Sequence, residues 1–294
     1  MFSDGARRDG PRAIGPRRPG AEERRPAAAW RRGTLVEQRS AAAETCAAAE
    51  AVRRSLLPPP LPQIDGLELA GHYLPAEGEL GGDWYDVFAL PGGRAGFAMG
   101  DVVGYGVHSA VVMGRLRAAL RACALEHDDP AEVLRRLDGF IRHFEPGAMA
   151  TLIYGVGRAP FERLRVSCAG HLPPVIASPA GAGALVELPP DLPIGVDAGA
   201  ARRTTALELP PGALLLLYTD GLVERRPLPG GPGLPLDEAL ARLPGAITAE
   251  SAQRAIAGAL HHQLGAGEPE DDVAILALRR VPVAAAPPPG AAGG

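Results

Sequence analysis

Five aspartates in this chain stand at the ends of strongly apolar segments, and three of them are directly beside glycines. Asp83 follows two glycines in "GGDWYD", Asp101 ends "FAMGD", and Asp220 follows "LLLLYT". Asp271 and Asp272 directly precede the apolar run "VAILAL". Aspartate is disfavoured in strands, and a buried carboxylate is costly unless a cation accompanies it. Any one of these sites alone fits an ordinary Asp-Gly turn or a cap, but together they favour a cluster that binds metal.

Oxygen ligands define the kind of metal that such a cluster would bind. No set of His or Cys residues accompanies the aspartates, which favours hard, octahedral ions such as Mg²⁺ or Mn²⁺. Two ions that share a carboxylate would activate a bridging water and neutralise a phosphate under in-line attack. The pattern therefore points to phosphoryl-group hydrolysis.

The turn "GDVVGYGVHSA" offers a competing interpretation as a nucleotide-binding loop. A dinucleotide motif needs a third glycine where Ser109 stands, and the Asp101 carboxylate would repel a pyrophosphate. All 30 basic residues are arginines, so a Walker-type phosphate loop, a Schiff-base enzyme and a protein kinase are excluded. A nucleotide-binding regulator is the weaker hypothesis.

Composition and charge are those of an ordinary globular protein. The chain of 294 residues is 46% hydrophobic and 22% charged, with a net charge of −4. Residues 1–33 contain nine arginines and four acidic residues, so the remainder is markedly acidic. This distribution argues against nucleic acid as a main partner.

The cysteines and the apolar segments suggest a cytoplasmic location. Cys46, Cys123 and Cys168 are odd in number and widely spaced, which is atypical of a disulfide framework or a thiolate zinc site. The N-terminus has no apolar signal region, and no stretch approaches the roughly 18 apolar residues of a membrane span. We expect no membrane span.

Composition also divides the chain into segments. Residues 1–33, rich in Arg, Pro and Gly, and residues 281–294 are expected to be disordered tails. The basic tail is either simply solvated, which we favour, or an electrostatic anchor. The Ala-rich segment 34–57 predicts a helix, used for packing or, alternatively, for homodimerisation. The folded domain is expected to span residues 58–280.

Hydrophobic periodicity within that domain predicts an α+β fold in which helices cover antiparallel sheets. The expected helices are 107–126, 130–144, 237–243 and 249–264, and Asp129-Pro130 is expected to cap the second of them. The expected strands are 67–74, 84–90, 94–101, 150–157, 162–170, 173–178, 203–209, 213–221 and 272–278.

Six motifs in this order resemble the PPM-type (protein phosphatase 2C-like) serine/threonine phosphatases. They are "GGDWYDVFAL", "GDVVGYGVHSA", "CAGHLPPV", "LPIGV", "LLLLYTDGLVE" and "DDVAIL". The preceding "RRSLLPPPLPQIDGLELAGHYLPA" resembles the branch typified by SpoIIE and RsbU, bacterial regulators of sigma-factor partner switching. The resemblance covers roughly residues 52–278.

This resemblance implies an antiparallel β-sandwich flanked by helices on both sides (α-β-β-α), with two Mn²⁺ or Mg²⁺ ions at one end. Asp83 and Asp101 would be the first pair of metal ligands, and the Val102 carbonyl would be a further ligand. Asp220 and Asp271 would complete the second metal site. Asp272 is a neighbouring candidate, because a register error of one residue would exchange it with Asp271.

The chain also departs from the family pattern. Tyr105 stands where many members have His, and a Tyr hydroxyl is a poor proton donor near neutral pH. His108 is a candidate substitute, although a solvated side chain is the favoured interpretation. His171 fits the family pattern, and we expect it to organise the turn before Pro173-Pro174 by hydrogen bonding.

The resemblance implies a metal-dependent phosphatase that acts on phosphoserine or phosphothreonine through a metal-activated water. The expected partner is a phosphorylated regulatory protein of the anti-sigma-factor antagonist type in a partner-switching pathway. The alternative is a catalytically silent binding module of the same fold. The four clustered carboxylates argue against that alternative, because a binding module has no need of them.

Overall fold

The computed structural model describes residues 60–76, 81–197, 199–224, 235–265, 267 and 269–282. The predicted tail 1–33 and the predicted helix 34–57 lie outside the described residues, as does most of the tail 281–294. The helices and strands expected between residues 67 and 278 all fall within these ranges.

The described residues form two antiparallel sheets of five strands each. The first sheet has the order β1-β10-β9-β6-β7, and the second has the order β2-β3-β4-β5-β8. The strands are β1 (Leu67–Leu74), β2 (Trp84–Leu90), β3 (Arg94–Val102), β4 (Ala150–Arg158), β5 (Arg163–Ala169), β6 (Val175–Ser178), β7 (Gly181–Leu185), β8 (Thr205–Glu208), β9 (Leu214–Tyr218) and β10 (Val273–Arg280).

Helices cover the outer faces of both sheets. They are α1 (Gly106–Glu126), α2 (Pro130–Phe144), α3 (Leu236–Arg242) and α4 (Ala252–Gln263), and short 3₁₀ turns span Asp220–Leu222 and Leu243–Ala246. Apolar residues of α1 and α2 pack on the second sheet, and those of α3 and α4 pack on the first. The predicted α-β-β-α sandwich is therefore confirmed. No helix in the described part of the chain has the length and apolar character that crossing a bilayer requires.

Burial on both faces explains why the central strands are apolar almost throughout. In β9, Leu215 and Leu217 point into the core between the sheets, whereas Leu214 and Leu216 face the covering helices. In β3, Phe97 and Met99 likewise belong to the core between the sheets. A strand buried on both sides shows no alternation of polar residues, and its ends are the first places where a carboxylate can reach solvent or a cation.

Two local features differ from the sequence-based expectation. Strand β7 was not predicted, because "GAGAL" lacks the β-branched and aromatic residues that mark a strand. Asp129 precedes α2 as expected, but its side chain makes no direct cap. The Ala131 amide instead donates to the Thr204 hydroxyl (3.0 Å), which donates to the Asp129 carboxylate (2.6 Å). The cap therefore depends on a residue distant in sequence.

Candidate metal centre

Strand topology brings the predicted aspartates to one end of the sandwich. Asp83 immediately precedes β2 and Asp101 lies near the end of β3, and these strands are antiparallel neighbours in the second sheet. Asp220 follows β9 and Asp271 precedes β10, which are antiparallel neighbours in the first sheet. One carboxylate oxygen from each of Asp83, Asp101 and Asp220 lies within 4.8 Å of the others.

Three glycines allow this close approach of the chain segments. A Cβ on Gly81 would lie 1.6 Å from the Asp272 carboxylate, and one on Gly82 would lie 2.3 Å from the Val102 carbonyl oxygen. A Cβ on Gly221 would lie 2.2 Å from the Asp272 carbonyl oxygen. None of the three has a positive φ angle, so each is required by close packing of the backbone and not by a left-handed turn.

The electrostatics of the cluster fit a bound cation. Burial, and then the charge of Asp101, raises the pKa of Asp83 well above its ordinary value, although a hydrogen bond with Thr219 acts in the opposite direction. Burial and the charge of Asp220 raise the pKa of Asp101 to about 6, and burial also raises the pKa of Asp220. Asp83 Oδ2 is buried and has no hydrogen-bond partner among the described residues. A divalent cation would satisfy this oxygen and offset the repulsion between the carboxylates.

The two neighbouring aspartates at the start of β10 have different surroundings. Asp271 is exposed, lies outside the tight three-carboxylate group, and raises the pKa values of Asp101 and Asp220 by its charge. Asp272 is buried, and its carboxylate accepts hydrogen bonds from the Tyr73 hydroxyl and from the Ala76 amide (2.7 Å). Asp271 is thus the one whose carboxylate is accessible beside the cluster.

Val102 also lies beside the cluster. Its amide donates to the Gly82 carbonyl (3.2 Å), and its side chain is buried against the helix layer. This hydrogen bond ties the end of β3 to the segment that carries Asp83. A Cβ built on Gly82 would lie 2.3 Å from the Val102 carbonyl oxygen and 3.0 Å from Asp101 Oδ1, so this carbonyl faces the segment that carries Asp83.

A single residue, Thr151, links His171 to Asp101. Thr151 is the cross-strand partner of Asp101, and its hydroxyl is 2.8 Å from His171 Nδ1. Burial lowers the pKa of His171 to about 4, so the ring is neutral at physiological pH. The Tyr218 backbone acts in the opposite direction and raises this pKa, and Nε2 is buried without a hydrogen-bond partner among the described residues. The ring contact that the structure shows is with Thr151, and the role of His171 in the turn before Pro173-Pro174 stays a prediction.

The two residues considered for proton transfer lie on the surface. Tyr105 and His108, in the loop after β3 and the first turn of α1, are both exposed. This agrees with the favoured interpretation of His108 as a solvated side chain.

Sequence reasoning missed three residues that shape the site. Tyr73 contacts Asp272, and Thr151 contacts His171. Thr219 joins the ends of β9 and β10, because its amide donates to the Ala274 carbonyl (3.0 Å) and its hydroxyl accepts from the Ala274 amide (2.9 Å). All three act across long sequence separations. Tyr73 and Thr219 both lie within quoted motifs, but neither motif indicated these contacts, and Thr151 lies in none of them.

Comparison with known proteins identifies the family. The family model of Stage II sporulation protein E (SpoIIE) matches residues 91–281, and the chain belongs to this family. The resemblance to PPM-type phosphatases of the SpoIIE/RsbU branch is therefore confirmed, as is the predicted enzyme class at the level of the family.

Individual relatives are consistent with this assignment. The chain is 27% identical over 157 residues to phosphoserine phosphatase RsbP of Bacillus subtilis (strain 168), covering 52% of this chain and 39% of RsbP. The structure of the RsbU and RsbW domains of Rv1364c from Mycobacterium tuberculosis is 33% identical with a TM-score of 0.66, covering 77% of this chain and 63% of that one. RsbX in complex with magnesium shares the fold, with a TM-score of 0.56, 14% identity, and coverage of 75% of this chain and 98% of RsbX. The chain thus spans about two fifths of the length of RsbP.

Proposed function

We propose that this protein is a metal-dependent phosphatase that hydrolyses phosphoserine or phosphothreonine on a regulatory protein. The observation that carries the proposal is the convergence of Asp83, Asp101 and Asp220, from both sheets, within 4.8 Å. The orphaned, buried Asp83 Oδ2 within this group supports cation binding. Family membership and the phosphoserine phosphatase relatives support the type of reaction.

The proposed metal ligands are Asp83, Asp101, Asp220 and Asp271, together with the Val102 carbonyl. Two Mn²⁺ or Mg²⁺ ions bound there would supply an activated water and neutralise charge on the phosphoryl group. The magnesium complex of RsbX, which has the same fold, supports a divalent ion. We assign Asp272 to a positioning role, because hydrogen bonds from Tyr73 and Ala76 already occupy its carboxylate.

The described cysteines do not offer a nucleophile. Burial raises the pKa of Cys168 to about 11, and its thiol donates to the His171 carbonyl. Burial also raises the pKa of Cys123, which lies on α1 within the helix layer. A thiol with a raised pKa is protonated near neutral pH and is a weak nucleophile. Direct attack by water is therefore the proposed route.

The proposed substrate is a phosphorylated anti-sigma-factor antagonist in a cytoplasmic partner-switching pathway, with residues 58–280 as the phosphatase domain. Support comes from the resemblance to the SpoIIE/RsbU branch and from the family match. In this role the protein would remove the phosphate that a kinase places on the antagonist. Homodimerisation through residues 34–57 is a further element of the hypothesis.

Hydrolysis of p-nitrophenyl phosphate with Mn²⁺, Mg²⁺ or EDTA tests the activity, with Asp101→Asn as the inactive variant. Asp128→Asn is the matched control, because Asp128 is exposed and follows α1, whose 21 residues span about 30 Å from the metal centre. Metal-dependent turnover that Asp101→Asn abolishes and Asp128→Asn retains is expected. If the wild-type protein neither turns over the substrate nor binds Mn²⁺ in a titration, the phosphatase proposal is wrong and the binding module becomes the better interpretation.

A further inference from the structure

Exposed apolar side chains are concentrated beside the metal centre. Nine large hydrophobic residues are exposed among the described residues, and six of them come from three segments near the end of β3. These six are between 39% and 73% exposed. We call them the apolar patch: Val103, Tyr105, Val107, Met149, Leu192 and Val196.

Backbone hydrogen bonds show that the three segments run side by side. The Val103 amide donates to the Met149 carbonyl (2.9 Å). Ala150 and Ile194 then exchange two backbone hydrogen bonds of 3.1 and 2.8 Å. The patch therefore extends from the loop after β3, across the start of β4, to residues 192–196. It begins two residues after the proposed ligand Asp101.

A buried ion pair holds the outer part of the patch in place. Arg202 donates to both carboxylate oxygens of Asp138, at 2.8 and 2.7 Å, and both side chains are only 1% exposed. Arg202 also donates to the carbonyls of Leu192 and Pro193, and the Gly195 amide donates to Asp138 (3.2 Å). The segment that carries Leu192 and Val196 is thus anchored from beneath. Because these hydrogen bonds fix the segment, the Leu192 and Val196 side chains are exposed in the folded protein.

The apolar patch has no unpaired buried charge beneath it among the described residues, and it has exposed polar residues at its borders. Glu145 is buried and paired with Arg115, and Asp138 is paired with Arg202, so neither offers a free charge. His108 and Asp197 are exposed at its borders. A cavity of about 420 Å³, lined by Val102, Val103, His108, Val112, Glu145 and residues 146–148, opens between the patch and α1. An apolar centre with a polar border is typical of interfaces between proteins.

We propose that the apolar patch is the docking surface for the phosphoprotein substrate, a folded protein that presents apolar side chains around its phosphorylated residue. This inference rests on the proposed phosphatase function and specifies its partner. Because Val103 lies two residues after Asp101 and the three segments run side by side, a folded protein whose phosphate reaches Asp101 would lie against these side chains. Their apolar character selects a folded surface over a charged, extended peptide.

The test compares a phosphoprotein with a small substrate. In the full chain, Leu192→Asn/Val196→Thr replaces two patch residues by neutral side chains of similar shape, which leaves the field at the metals unchanged. Leu125→Asn is the matched control, because Leu125 is 59% exposed near the far end of α1. The probes are a phosphorylated anti-sigma-factor antagonist and p-nitrophenyl phosphate, both with saturating Mn²⁺.

We expect kcat/KM on the phosphoprotein to fall about tenfold in the double variant, mainly through KM. Turnover of p-nitrophenyl phosphate and the melting temperature should stay close to wild type, and Leu125→Asn should match wild type on both probes. Equal losses on both probes, or no loss on the phosphoprotein, would overturn the docking proposal. Wild-type turnover of the small substrate without dephosphorylation of the antagonist would overturn the assigned partner. No wild-type turnover of either would instead contradict the phosphatase function.

Discussion

The Tyr73 hydroxyl donates a hydrogen bond to the Asp272 carboxylate, 199 positions later in the chain. The Ala76 amide donates to the other oxygen of the same carboxylate, and Gly81 packs directly against it. Asp272 therefore connects the end of β1, the segment that leads to Asp83, and the start of β10. A carboxylate with these contacts positions the proposed ligands on both sides of it.

Tyr73→Phe should weaken metal binding because it removes one hydrogen bond from Asp272 without leaving a cavity. We expect the apparent affinity for Mn²⁺ to fall several-fold and the protein to lose about 1 kcal/mol of stability. Turnover should recover at high Mn²⁺, because no proposed ligand is removed. Isothermal titration with Mn²⁺ measures the effect, and Tyr154→Phe, in the second sheet, is the control. Unchanged Mn²⁺ affinity in Tyr73→Phe would show that this contact has no role at the site.

Gly82→Ala should abolish turnover, because the new Cβ would lie 2.3 Å from the Val102 carbonyl oxygen and 3.0 Å from Asp101 Oδ1. The segment that carries Asp83 would have to move away from Asp101. Gly139→Ala is the matched control. Gly139 lies within α2, and its Cβ would contact nothing within 4 Å, so this change should stabilise the protein by about 0.5–1 kcal/mol. Turnover and chemical denaturation of the two variants check both expectations, and an active Gly82→Ala protein would contradict the packing argument.

Asp101→Asn should stabilise the metal-free protein at neutral pH. Burial and the charge of Asp220 raise the folded-state pKa of Asp101 from 3.8 to about 6, so the folded protein binds this proton more tightly than the unfolded chain does. Stability linked to Asp101 is therefore present at low pH and is lost as the pH rises through about 6. In EDTA, the variant should melt at a higher temperature than wild type at pH 7.5, and the difference should shrink towards pH 5. A difference that grows as the pH falls would contradict this assignment.

Breaking the buried pair between Asp138 and Arg202 should cost about 3–5 kcal/mol, because the remaining charge would be buried without a partner. Asp138→Leu is the single variant, and Asp138→Leu/Arg202→Met removes both charges. The double variant should recover much of the lost stability in urea denaturation. If it is no more stable than the single variant, the hydrogen bonds of Arg202 to the 192–193 carbonyls, and not the charge pair, dominate this anchor.

The sequence was sufficient for the elements whose burial leaves a strong pattern. The run "LLLLY" of β9 and the helix starting at Pro130 needed only local reasoning. Local sequence patterns did not predict β7, whose residues are small. They also did not predict that Asp129 caps α2 only through the Thr204 hydroxyl. Propensity and periodicity are local quantities, whereas these features depend on residues that folding brings together.

The same limit applies to the candidate site. Adjacent aspartates at 271 and 272 were almost interchangeable in sequence, and only the contacts of Tyr73 and Ala76 with one of them distinguish their surroundings. Gly81 and Gly82 looked like turn residues, but the structure shows that they permit close contact between segments. Thr151 had no signal at all, because its relation to His171 exists only between neighbouring strands.

The strand order also bears on how the protein is made at the ribosome. β10, the last strand among the described residues, lies between β1 and β9, and β1 pairs with it along its whole length. During synthesis, β1 cannot pair until nearly the entire domain has been translated, because β10 is made about 200 residues later. Asp271 is translated directly before β10. A nascent chain that ends before Asp271 would have an incomplete first sheet and would lack one of the proposed metal ligands. If the proposed ligand set is correct, phosphatase activity would appear only when translation of the domain is finished, and a product truncated before Asp271 would be inactive.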